Sequence, residues 1–305
     1  MRPRNLQLLI TILLSFFTVG CTAEGDIADS DKNNQYNDFS YVATEFAEIE
    51  GIGRYMNKSF QGFAAYGNTA FCFYDSGYCQ TIDLNERKII SSFKLPEGVA
   101  NSKNHCGVAC FSSDFLSPND PFPLLYLSSY KEMKCYVLSI TETSAELVQV
   151  IQMKDENNQI VPVYAFMPDH DKLVLKMKTP ERENNSYNYH WQVTYKPAIT
   201  KGKNIILGNN DIISSFYVES SDKYNAGFAH NNIIYQLAGY GGYGSKKLYM
   251  IDYVKGKVLD EIIWKEPLLY QHEQEQCTPY GDDGILINYN GANYISYIKF
   301  LNWRF

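Results

Sequence analysis

Five short alternating segments, recurring at nearly constant spacing, constrain this chain more than any other feature. They read Cys-Gln-Thr-Ile-Asp-Leu at 79–84, Cys-Tyr-Val-Leu-Ser-Ile at 135–140, Trp-Gln-Val-Thr-Tyr at 191–195, Leu-Tyr-Met-Ile-Asp-Tyr at 248–253 and Tyr-Ile-Ser-Tyr-Ile from Tyr294. Their starts are separated by 56, 56, 57 and 46 residues. Apolar and polar residues alternating with period two make half-buried strands, and a repeat of roughly 40 to 57 residues built from such strands is the pattern of a β-propeller. The 25 tyrosines and 17 phenylalanines add to the strand preference.

The repeats resolve into four-stranded meanders. The first runs through 61–66, 69–74, 78–84 and 88–95, with Gly67-Asn68, Asp75-Ser76-Gly77 and Asn85-Glu86-Arg87 as turn formers between them. A second opens at His105, a third at Val161 and a fourth at Asn225. The last unit, 276–280, 285–288 and 294–301, is one strand short, whereas Val42 to Ile49 is a strand with no hairpin partner nearby. A ring must close or leave exposed sheet edges. The expectation is therefore an all-β, five-bladed propeller over residues 41–305, closed by the N-terminal strand as the outer strand of the last blade. Six blades is the alternative.

Ahead of this domain, Arg2 and Arg4 precede twelve uncharged, mostly apolar residues, Leu8 to Val19. The run is too short to span a bilayer and has the layout of a secretory signal over 1–20. Without it the chain carries 25 Lys and Arg against 34 Asp and Glu, a net charge near −9. Such an acidic chain, with no basic block, gains nothing from counterion release, so nucleic acid is not an expected partner. Residues 22–40 are polar and acidic without an apolar period, which reads as a tether.

Two stretches carry a family resemblance. Thr18-Val19-Gly20-Cys21 resembles a bacterial lipobox, with Thr18 where Leu is usual. The sequence Phe166-Met-Pro-Asp-His-Asp-Lys-Leu-Val-Leu resembles the strand-turn-strand hairpin of TolB-like propellers, with Pro168 and Asp169 expected to set the turn and His170 where Gly is usual. With Phe122-Pro-Leu-Leu-Tyr, Cys135-Tyr-Val and the overall length, the chain is similar to the TolB-like propeller lipoproteins of Gram-negative bacteria. That resemblance implies acylation at Cys21, attachment to the outer membrane on its periplasmic or surface face, and six blades where the repeat counts five.

Residues opening each repeat are the positional candidates for the ring mouth: Lys103, Asn104, His105, Tyr164, His230, Gln276 and Tyr280. Gly239-Tyr-Gly-Gly-Tyr-Gly244 lacks the Lys-Ser/Thr and helix of a phosphate loop, and reads as an inter-strand loop presenting Tyr240 and Tyr243 at one mouth. These residues point to a glycan, peptide or protein ligand held by a monomeric binding module. The alternative is a glycan hydrolase or lyase, which needs two carboxylates flanking the bond; Glu48, Asp114, Asp169 and Glu273 are available. The six cysteines after Cys21 read as small core residues rather than disulfides, and no Cys-x-x-Cys pair suggests metal. No cofactor is expected. The acidic turns at 169–171 and 281–284 lack the alternating ligands of a calcium loop.

Overall fold

A computed structural model of the chain describes residues 41–49, 52, 54–55, 58–100, 105–239, 246–264, 272–290, 292, 294–301 and 305, with the backbone alone at 42–47, 54–55 and 59–60. The signal segment, Cys21, the tether, Lys103, Asn104, Tyr240 and Tyr243 lie outside the described residues. Among those described, no helix is long and apolar enough to cross a membrane.

The strands form five small sheets arranged as a five-bladed propeller. Blade one runs from its inner strand Lys58–Tyr66 through Thr69–Tyr74 and Tyr78–Asp83 to Lys88–Lys94, and Arg54–Tyr55 pairs beside the start of the inner strand. Blade two is Cys106–Phe111, Leu125–Ser129, Lys134–Ile140 and Ala145–Met153. Blade three is Val163–Asp169, Lys172–Met177, Tyr187–Tyr195 and Ile212–Ser220. Blade four is Tyr224–His230, Ile233–Ala238, Lys246–Asp252 and Lys257–Trp264. Blade five supplies Gln274–Tyr280, Gly284–Tyr289 and Tyr294–Phe300, and its outer strand is Tyr41–Glu48, antiparallel to Tyr294–Phe300 from Tyr41↔Phe300 to Glu48↔Tyr294. Successive inner strands pack against one another around the ring, and that of blade five returns to blade one. The closure expected from strand counting is present, and the ring has five blades rather than six.

The repeat read from the sequence is the third strand of each blade. Cys79, Cys135, Trp191 and Leu248 share that position and are all fully buried. The shorter last interval follows from connections: the first three intervals include the 112–124 loop or the long excursions of blade three, which the fourth lacks.

Two details depart from expectation. The turn of the third-blade hairpin is His170-Asp171, not Pro168-Asp169; the latter pair with Leu173 and Lys172 inside the ladder. His170 takes a φ of 50°, the left-handed conformation that favours Gly, so the departure from the family pattern is absorbed by strain at one residue. Blade two also gains a fifth strand, Lys203–Leu207, from the connection between the last two strands of blade three. It lies parallel to Ala145–Met153 and covers that blade's outer edge.

Blades are clasped as well as packed. Phe166 N–H donates to Ser128 Oγ (2.9 Å), Ala65 N–H to Thr278 Oγ1 (3.1 Å) and Gln276 Nε2 to Gly227 O (3.0 Å), joining blades three to two, one to five and five to four. Gly227 is required here: a Cβ would stand 2.3 Å from Tyr235 O. Cys72, Cys79, Cys106, Cys110, Cys135 and Cys277 are all free and buried. Burial pushes their thiols up, so they behave as packing groups.

Candidate ligand site

In a propeller the first residues of the inner strands and the loops between second and third strands meet at one end of the ring. Here they enclose a cavity of about 770 Å³. Every blade contributes: Gln61 from blade one, Tyr130 from blade two, Tyr164 and Lys176 from blade three, Asn225 from blade four, and Glu273, Glu275 and Asn290 from blade five. Alternation along the strands explains the set. In blade five Glu273 and Glu275, two residues apart, share the cavity face, while Gln274 and Gln276 point into the wall and are fully buried.

The electrostatics divide across the mouth. Glu275 is largely withdrawn from water, and burial, with Glu273 and Asp75 as like-charged neighbours, pushes its carboxyl up to about 8 against a hydrogen bond from the Asn290 side chain. Glu273 is also raised by burial, opposed by Lys223 and Lys246 and by the Asn225 side chain. On the side of blade three, Lys176 is buried and donates to Tyr224 O (3.1 Å) and to Asn225 O. Burial, aided by Lys223, brings its ammonium down to about 7. Lys178 and Arg182 follow it on the rim. Lys246, buried beside blade five, gives its Nζ to His272 O.

Aromatic rings frame the opening. Tyr130 and Tyr164 lie with ring centroids 4.2 Å apart, and burial together with the bond to Tyr130 raises the Tyr164 phenol. His105 meets Tyr130 edge-on and its Nδ1 lies 2.8 Å from Asp75 Oδ2. Gln61 lines the cavity with 9% exposure, and among the described residues its amide has no hydrogen-bond partner.

Of the residues singled out in the sequence, His105 and Tyr164 lie on this cavity. Gln276 stands one residue out of phase, bonded within the wall to Gly227 O and Cys277 O. His230 and Tyr280 close their inner strands and therefore belong to the opposite end, where His230 packs edge-on against Phe305. The glycine-rich loop joins Ile233–Ala238 to Lys246–Asp252; its flank Gly239 bonds to Lys223 O at the cavity end. Among the four candidate carboxylates only Glu273 lines the cavity. Glu48 is exposed on the outer strand of blade five, and Asp114 pairs with Lys196 at 2.8 Å. Asp169 is consumed by the backbone N–H groups of Asn231 and Asn232 and by the Tyr253 hydroxyl. The sequence reading missed Gln61, Lys176, Asn225 and Glu275. Strand parity, applied to the first three residues of each inner strand, is the signal that finds Asn225 and Glu275. Among the described residues no cluster of His, Cys, Asp and Glu is suited to a metal ion.

No protein-family model matches the sequence, and no curated protein does. Solved structures do resemble it in fold. The glutaminyl cyclase of Myxococcus xanthus aligns with a TM-score of 0.51 at 11% identity, over 87% of this chain and 98% of that one. The tail fiber of Staphylococcus aureus phage P68 aligns at 0.53 with 12% identity, over 86% of this chain and 53% of that one. At such identities the likeness is one of fold alone, and one fold serves proteins of unlike roles.

Proposed function

We propose that this is a lipid-anchored propeller of the cell envelope that binds a glycan, peptide or protein ligand at the mouth where its inner strands begin. The observation that carries the binding reading is the 770 Å³ cavity into which all five blades direct polar side chains beneath a rim of tyrosines. Tyrosine rings give contact area on one face and a polar tip on the other, which suits sugars and peptides. The anchoring part rests on the apolar run before Cys21 and the lipobox-like residues around it.

The binding reading predicts that a panel of glycans and peptides contains members that raise the melting temperature of the protein, and that Tyr164→Ala removes the rise. If no compound that binds is affected by changes at Gln61, Tyr164 or Glu275, the ligand site is elsewhere. Cys21→Ala should abolish metabolic labelling with palmitate; absence of label on the unaltered chain refutes the anchor.

A catalytic reading is favoured by one feature, the shift of Glu275 up to about 8 and of Lys176 down to about 7, which brings an acid and a base near neutrality. The enzyme named among the structural neighbours is consistent with chemistry on this architecture. Glycoside hydrolysis fits less well, since Glu273 and Glu275 stand on one wall and do not flank a bond from two sides. Product formation that disappears with Glu275→Gln would establish catalysis.

A further inference from the structure

We propose that the corner of the mouth where blades five and one meet is an ammonium subsite, in which a ligand's protonated amine sits against Glu275 while the Gln61 amide takes an adjoining polar group. The proposal rests on the mouth being the ligand site and names the chemistry it recognises. Three observations carry it.

First, Gln61 is nine-tenths buried on the cavity wall, and among the described residues its amide has no protein partner, so its bonding capacity is turned to the cavity. An amide offers both a donor and an acceptor, so it matches a second amide better than it matches a simple ion. Second, acids gather at this corner. Glu275 feels Glu273 beside it and Asp75 from blade one, and its one side-chain bond is to Asn290. Third, two lysines of the surrounding wall are committed. Lys176 is bound to the Tyr224 and Asn225 carbonyls, and Lys246 to the His272 carbonyl. Lys223 and Lys246 bear on Glu273, whereas among the described residues no lysine contributes to the shift of Glu275. His105, which also lines the cavity, is paired with Asp75.

A proton follows from this arrangement. Burial and the neighbouring carboxylates favour the protonated form of Glu275 at pH 7, and an ammonium placed beside it favours the carboxylate, so the acid ionises and its proton passes to buffer. With a carboxyl near 8, the larger part of a proton is released per ligand at pH 7. Affinity should climb roughly tenfold per pH unit between about pH 6 and 7.5, then fall once the ligand's own amine loses its charge. Two sources supply such a group, the amino end of a peptide and a simple alkylamine, and the Gln61 amide favours the former.

The experiment is calorimetric titration of the purified full-length protein with tri-alanine, N-acetyl-tri-alanine and n-butylamine, at pH 7 in phosphate and in Tris. Tri-alanine should bind with heats that differ between the buffers by the larger part of a proton, acetylation should abolish binding, and Glu275→Gln should weaken it at least tenfold and erase the buffer dependence. Gln61→Leu should weaken tri-alanine and leave n-butylamine unchanged; equal loss for both would assign the corner to amines alone and overturn the role of Gln61. Equal binding of the acetylated peptide, or binding without proton release, would overturn the ammonium subsite. So would failure of both amines to bind while another compound is held at the mouth in a manner lost on Tyr164→Ala, and the mouth as ligand site would then survive.

Discussion

Asp169 and Glu275 are withdrawn carboxylates on inner strands of the same ring, at opposite ends, and their surroundings are unlike. Asp169, 4% exposed, accepts from Asn231 N–H (3.1 Å), Asn232 N–H (2.8 Å) and Tyr253 Oη (2.8 Å), so it ties blade three to the first turn of blade four. Phe305, packed on Phe228, His230, Tyr235 and Phe300, adds an aromatic seal at that end. Glu275 receives one amide and faces two further carboxylates. A buried acid given three donors is part of the scaffold, and one given like charges and a cavity is held ready to change state. The end of the ring with satisfied polar groups holds the blades, and the end that carries Glu275 is the one we propose for the ligand.

Both ends depend on closure, so the largest effect should come from opening the ring. Removing residues 1–40 should leave a cooperative melt, whereas removal through Ile49 takes away the outer strand of blade five and the fully buried Ile49. Each large apolar side chain lost from a core costs about 1.5 to 3 kcal/mol, and an unpaired sheet edge remains, so the shorter chain should aggregate or unfold. Equal melting temperatures would remove closure from the account.

Next in size, Asp169→Ala leaves three donors without their acceptor. The Tyr253 hydroxyl is the buried one of the three, whereas Asn231 and Asn232 lie in an exposed turn where water can replace the lost acceptor, so denaturant melts should show a loss of about 1 to 3 kcal/mol, with ligand affinity at the other end unchanged in the protein that remains folded. A loss below 1 kcal/mol would dissolve the contrast.

Glu275→Gln should act oppositely. Because the folded carboxyl titrates near 8 and the unfolded one near 4.5, the unfolded chain ionises first as pH rises, and folded stability falls between about pH 4.5 and 8. Lys176 has the reverse sense: its ammonium is depressed to about 7 from 10.5, so the unfolded chain holds its proton longer and stability recovers between about pH 7 and 10.5. The two together place a trough near neutrality. Glu275→Gln should remove the descending limb and raise stability at pH 8 by something on the order of a few kcal/mol, as read from urea melts across pH. An unchanged profile would mean that the acid is not held protonated.

Smallest of all, Tyr164→Phe removes a hydroxyl from the partly exposed pair with Tyr130 and should shift stability by less than about 1 kcal/mol. A larger loss would make the rim part of the scaffold and blur the division between the two ends.

The fold was legible because its signal is periodic. The buried third strands recur with the same apolar alternation, and the surplus strand at one terminus matches the deficit at the other. What escaped is non-local. Lys203–Leu207 joins blade two in parallel from within blade three, and nothing in Lys-Asn-Ile-Ile-Leu states which sheet it will extend. Pro-Asp is a turn former by local chemistry and so points to a hairpin two residues too early in blade three, whereas here Asp169 is claimed by donors 62 and 63 residues away. The site was legible in position but not in phase. His105 and Tyr164 are legible because they open repeats; repeat position points to Gln276 where Glu275 faces the cavity, and a one-residue shift sends a strand side chain to the other face. Lys176 was beyond reach, because a lysine at the end of a second strand looks solvated until blade four is packed over it.

The claim that one end of the ring is poised and the other spent is tested most directly by the titration of a single carboxyl. With glutamate ¹³C-labelled at Cδ, and Glu275→Gln used to assign the resonance, the unliganded protein should show Glu275 titrating with a midpoint of about 8. A midpoint in the ordinary glutamate range, near 4.5, would contradict the account.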